Sequence, residues 1–88
     1  MDVAIESKKF KVASVSDNAN SFGLRGHVLI AEDGEAWEVG ITGQFAQKKG
    51  DVVRINLDRN DELDWAFFGA ELPRKLPNAP RNVVNEVW

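Results

Sequence analysis

An 88-residue chain with 43% hydrophobic and 28% charged residues is sized and composed for one globular domain, not two, and is too apolar to stay disordered. It holds no cysteine, which excludes disulfides and thiolate chemistry and fits a cytoplasmic setting. A formal net charge of −3 opposes non-specific binding to duplex nucleic acid, no apolar run reaches the ~18–20 residues of a membrane span, and Met1–Lys9 lacks the apolar core of a signal peptide.

Alternation begins at Lys9–Val15, with Phe10 and Val12 on one side and Lys9 and Lys11 on the other. Residues 16–21 are a polar loop. A second run covers about 24–32, where Gly23 and Gly26 mark a bulge or a sharp coil. Asp33-Gly34 then predicts a hairpin with a two-residue type I′ turn. Counting outward from that turn sets Ile30 opposite Trp37 and Val28 opposite Val39. Val28, Ile30, Trp37, Val39 and Ile41 then share the core face, while His27, Leu29, Ala31, Ala36 and Glu38 face outward. Residues 43–50 form a link with one helical turn about Phe45, ended by Gly50. The fourth run, 51–58, turns Val53, Ile55 and Leu57 inward and Arg54 outward. A fifth run sends Leu63, Trp65 and Phe67 inward and Phe68 outward. Pro73, Pro77 and Pro80 make the next segment extended and keep it out of the centre of a sheet. Residues 83–88 read as a helix or strand docked on the domain, because Val83, Val84, Val87 and Trp88 are costly to leave in water.

Five short strands at this spacing predict an all-β fold. The expected form is a small five-stranded antiparallel barrel, OB-like ahead of SH3-like. Residues 1–72 make the barrel and 73–88 a Pro-rich C-terminal extension packed on it.

Four pieces stand in order between Lys11 and Leu57: Phe22-Gly23-Leu24, Glu32-Asp33-Gly34, Trp37-Glu38-Val39 and Lys49-Gly50-Asp51-Val52-Val53. Their arrangement resembles that of cold-shock domains. The resemblance implies a five-stranded barrel whose middle strands stack bases on aromatic side chains. The chain departs from that pattern. Phe22 and Trp37 are its only aromatics there, the register turns Trp37 inward, and Gly40 and Ile41 stand where the family has a His.

Two binding surfaces follow from these assignments. Outward Val15, Leu29, Val52 and Phe68 form an apolar patch suited to another protein or a second copy. Phe22 is a stacking residue, with Arg25, Lys48, Lys49 and Arg54 placed for phosphates. His27, the single histidine, is expected on the surface among these binding residues, with no spacing that gives it a catalytic partner. Residues 58–64 alternate oxygen-bearing side chains but lack the glycine and closing Glu of a calcium loop, so no metal or other cofactor is expected. Arg74-Lys-Leu76-Pro77-Asn-Ala-Pro80 matches a short SH3-ligand pattern, but an extended segment that packs Leu72 and Leu76 on the barrel explains it better. The expected function is a non-enzymatic interaction module that binds another protein or itself. The alternative is an OB-like binder of single-stranded nucleic acid. No membrane partner is expected.

Overall fold

The computed structural model describes residues 7–56 and 71–88. The fold is mainly β: a five-stranded antiparallel sheet of order β4-β1-β2-β3-β5. Its strands are β1 (Ser7–Val15), β2 (Leu24–Ala31), β3 (Ala36–Thr42), β4 (Val52–Asn56) and β5 (Glu71–Leu76). A single 3₁₀ turn, Gly43–Phe45, follows β3, and a helix, α1 (Arg81–Val87), follows β5. Among the described residues the sheet is open, with β4 and β5 at its edges. No helix there is long and apolar enough to cross a membrane. The run at 63–68, with Trp65 and Phe68, lies outside the described residues.

The hairpin forms at Asp33-Gly34, but with a three-residue loop. Gly34 N–H donates to Ala31 C=O (2.9 Å) and Ala31 N–H donates to Glu35 C=O (2.9 Å). Glu32 and Asp33 therefore occupy the corners of a tight turn, and Gly34, at φ 95°, supplies the left-handed residue that rejoins the ladder. A two-residue turn would have needed two such residues; one glycine suits the longer loop. The extra residue shifts the register by one. Leu29 faces Trp37, His27 faces Val39 and Ile30 faces Ala36. This corrects the expected faces of β2: His27 and Leu29 point into the core, and Val28 and Ile30 point to the other side of the sheet. β3 keeps its expected orientation, with Val39 and Ile41 fully buried and Trp37 half-buried against them.

β1 serves both sides of the sheet. Val12 pairs with Leu29 and Ser14 with Val28, which leaves Ala13 as the extra residue of a β-bulge. The bulge resets the alternation. Phe10 and Val12 are buried in the core, and Val15, three residues on, packs against the same cluster. The expected outward position of Val15 is corrected on that ground. Val53 completes the cluster from β4, opposite Phe10.

β5 begins the Pro-rich tail inside the sheet, so the expected boundary at residue 73 falls within a strand. Its register against β3 shifts between Glu38↔Arg74 and Gly40↔Glu71, so Leu72 and Pro73 together oppose Val39. Proline has no N–H to give a ladder, and a bulge on an edge strand is where that lack costs least. The SH3-ligand pattern is likewise drawn into the fold, since Arg74–Leu76 pairs with β3 and Arg74 bonds to Glu38 at 2.6 Å.

Seven residues are too few for a helix to be stable alone. Packing on the second face of the sheet holds α1. Val84 is buried with Ile30 and Ala36, and Val83, Val87 and Trp88 close around them. Pro80 caps the helix in an extended conformation, where its missing N–H is not needed. Three hydrogen bonds tie this tail to the hairpin: Ala79 N–H to Gly34 C=O (2.7 Å), Arg81 Nη1 to Glu32 C=O (2.8 Å) and Trp88 Nε1 to Ile30 C=O (3.0 Å). Lys11 Nζ lies 4.9 Å from the Trp88 ring.

Candidate ligand-binding surface

Antiparallel pairing brings the β1–β2 loop and the β3–β4 link to one end of the sheet. Leu24 pairs with Thr42, so Phe22, two residues before Leu24, and Gly43–Phe45, just after Thr42, meet at that end. Phe22 is 77% exposed and Phe45 44% exposed. Phe45 escaped the sequence reading as a site residue. The only signal for it was an aromatic in a glycine-bounded polar link.

The backbone under Phe22 is fixed. Gly23 N–H donates to Asn20 C=O (3.0 Å), and Asn20 N–H donates to Leu24 C=O (2.8 Å). This is the same three-residue loop as at Asp33, with Gly23 at φ 77° in the left-handed position. Asn20 Oδ1 also accepts the N–H groups of Phe22 (2.8 Å) and Leu24 (3.1 Å). Phe22 thus stands at the corner of a doubly pinned turn, in water.

Lys48 and Lys49 sit on a third glycine turn. Asp51 N–H donates to Lys48 C=O (3.0 Å) across Gly50, whose φ is 93°. Asp51 Oδ2 accepts the Lys48 N–H (2.9 Å) and locks it. Both lysines are exposed. Arg25 is half-buried opposite Ile41. Arg54 and Val52 lie on the outer face of β4, Val52 49% exposed and opposite Lys11, Arg54 exposed and opposite Lys9. Two cations directly across a strand pair repel each other.

His27 does not belong to this surface. It is fully buried, with Nδ1 2.8 Å from Arg25 C=O and Nε2 3.0 Å from the Gln47 N–H. An amide N–H can only donate, so Nε2 is the acceptor and Nδ1 carries the proton toward the carbonyl. The imidazole is a strut that holds the β3–β4 link under the sheet. Leu29 is core, and Phe68 lies outside the described residues. The expected apolar patch therefore loses Val15 and Leu29 and keeps Val52.

Charge is distributed unevenly. Residues 7–56 and 71–88 hold ten Lys and Arg against eight Asp and Glu, so the acidity of the chain comes from residues 1–6 and 57–70. Lys8 bridges Asp33 (2.7 Å) and Glu35 (3.4 Å), Arg74 bridges Glu38 (2.6 Å), and Lys75 lies 3.8 Å from Glu35. The Lys8 contact, followed by the Glu35 N–H on Asp33, holds the Asp33 carboxyl below the usual aspartate value. Burial works against the Lys8 ammonium, but the two carboxylates outweigh it and raise its pKa. Lys9, Arg25, Lys48, Lys49 and Arg54 have no side-chain partner among the described residues. No cluster of metal-ligating side chains occurs among the described residues. In comparisons with known proteins, no family model, no curated protein and no solved structure matches this chain.

Proposed function

We propose that this chain is a non-enzymatic binding module of OB-like build whose ligand is a single-stranded nucleic acid. The observation that carries the reading is Phe22. A large apolar ring held on a rigid turn and left 77% exposed is a base-stacking platform in search of a base. Phe45 at the same end, with Arg25, Lys48 and Lys49, which have no side-chain partner among the described residues, supplies a second ring and phosphate contacts. The strand order β4-β1-β2-β3-β5 supports the OB-like reading, because it is the order of a five-stranded cylinder opened between its fourth and fifth strands. His27, with both ring nitrogens committed to backbone groups, is withdrawn from acid–base work, which supports a non-enzymatic role. Partnership with a protein or a second copy is the second reading, favoured by Val52, exposed beside Arg54 on an edge strand.

The test is titration of a labelled thymidine oligomer, followed by fluorescence anisotropy at about 50 and about 200 mM salt. Binding should weaken steeply as salt rises. Phe22→Ala should weaken it by about 5- to 150-fold, the range of one lost stacked base, with the melting temperature held. No binding at the lower salt refutes the reading. A dimer seen by light scattering in that case favours the second reading.

A further inference from the structure

α1 covers only part of the outer face of β2 and β3. Beyond it lies a groove of about 340 Å³ whose floor is Gly26 and Gly40, directly paired across the two strands. Ala31 N–H bonds to Glu35 C=O, so the odd-numbered residues of β2 hydrogen-bond toward β3 and the even-numbered ones toward β1. Gly26↔Gly40 is therefore a non-hydrogen-bonded pair, the kind in which two Cα atoms approach most closely, to about 4.5 Å. Without side chains the pair forms a flat strip of backbone. Ser16, Asn18 and Asn20 stand along the groove with Glu38.

Gly26 has no internal reason to be glycine. Its φ is not left-handed, and a Cβ there would meet Glu38 Oε2 at 3.8 Å and Ser16 Cβ at 3.9 Å, which is ordinary contact. A glycine inside a strand weakens it, and one of its common meanings is a site where a ligand comes close. The same distances put Glu38 Oε2 beside the floor. Glu38 Oε1 takes the Arg74 guanidinium, while Oε2 has no protein partner among the described residues. Asn20 spends its Oδ1 on Phe22 and Leu24, and among the described residues its NH₂ and the side-chain amide of Asn18 have no partner. The groove thus offers a flat floor, one carboxylate oxygen as acceptor and amide NH₂ groups as donors. Its rim is the turn that carries Phe22.

We propose that this groove seats one base of the bound strand and selects guanine. The proposal rests on the nucleic-acid reading above. Guanine places N1–H and N2–H₂ side by side, which suits a carboxylate oxygen, and its O6 accepts from an asparagine NH₂. Thymine flanks its one N–H with two carbonyls, which face a carboxylate unfavourably. The volume is at the small end of the ~300–1,000 Å³ range of ligand clefts, which fits a single base.

The experiment uses the full chain, a labelled thymidine oligomer of about twelve nucleotides, and the same oligomer with one central guanine, in about 50 mM salt. The expected result is roughly tenfold tighter binding of the guanine oligomer, the effect of one charge-assisted hydrogen-bond set. Glu38→Gln keeps an oxygen for Arg74 but replaces the acceptor with a donor, and should reduce the preference to about twofold or less. Gly26→Ala puts a methyl group on the floor and should also erode the preference, while the melting temperature holds or rises. Equal affinity of the unaltered chain for both oligomers, or a preference retained by both variants, overturns the proposal and leaves the nucleic-acid reading standing. Failure of both oligomers to bind overturns that reading and the base seat together.

Discussion

Gly34 joins the hairpin to the tail, and its replacement by alanine separates two costs. Gly34 and Gly50 have nearly the same backbone, φ 95° and 93°. A Cβ at Gly50 would meet nothing within 4 Å, whereas at Gly34 it would lie 3.1 Å from the Ala79 carbonyl oxygen. Gly50→Ala therefore measures the left-handed conformation alone, about 1 kcal/mol after allowance for the stiffer unfolded chain. Gly34→Ala adds the retreat of residue 79, whose N–H donates to Gly34 C=O at 2.7 Å. Loss of that bond costs about 0.5–1.5 kcal/mol, and loosening of the buried Val84 adds to it. The sum is about 2–3 kcal/mol. In a domain of this size that is a fall in Tm of roughly 8–24 °C, against roughly 4–8 °C for Gly50→Ala. Thermal and urea unfolding by circular dichroism measure both variants. Hydrogen exchange at the Ala79 amide should accelerate in Gly34→Ala only. Superimposable unfolding curves for the two variants would refute the claim that the tail is fastened through this turn.

His27→Leu keeps the core filled but strips the partner from the Gln47 N–H, while the Arg25 C=O keeps its place in the ladder opposite Ile41. The orphaned N–H costs about 1–3 kcal/mol, so a loss of that size is expected in urea unfolding, and a loss below ~1 kcal/mol would mean the strut is dispensable. The Lys8–Asp33 pair gives a pH dependence with a defined sign. Asp33 is depressed in the folded state, so its contribution is complete above the ordinary aspartate value of 3.8 and is lost as pH falls through the lower folded value. Lys8 is raised, so its contribution is complete below 10.5 and lost as pH rises through the higher folded value. Both groups are partly exposed, so each limb is worth under ~1 kcal/mol. Stability measured against pH should lose the acid limb in Asp33→Ala, and an unaltered acid limb would count against the pair.

β3 was legible from alternation because nothing interrupts it between Ala36 and Thr42. β2 was not, although its residues alternate just as cleanly. Its orientation depended on whether the chain turned in two residues or three, and both loops can be built on Asp33-Gly34. The bulge at Ala13 leaves no mark in composition, so the inward position of Val15 could not be read. The prolines keep their segment extended and out of the centre of the sheet, and β5 is an edge strand in which a bulge accommodates Pro73. Of the site residues, Phe22, Lys48, Lys49, Val52 and Arg54 proved exposed, because their positions depend on turns or on a strand whose parity was right. His27 and Leu29 failed together, through the same one-residue shift.

The loops at Ser21-Phe22-Gly23 and Glu32-Asp33-Gly34 share one backbone design, with Phe22 and Asp33 in equivalent corners. The peptide frame that builds the corner is indifferent to what stands there: an aromatic ring in one case, a carboxylate in the other. Phe22 is thus an interchangeable head on a fixed handle. Grafting other side chains onto position 22 offers a way to re-specify what this end of the sheet grips while the ladder beneath it keeps its pairing.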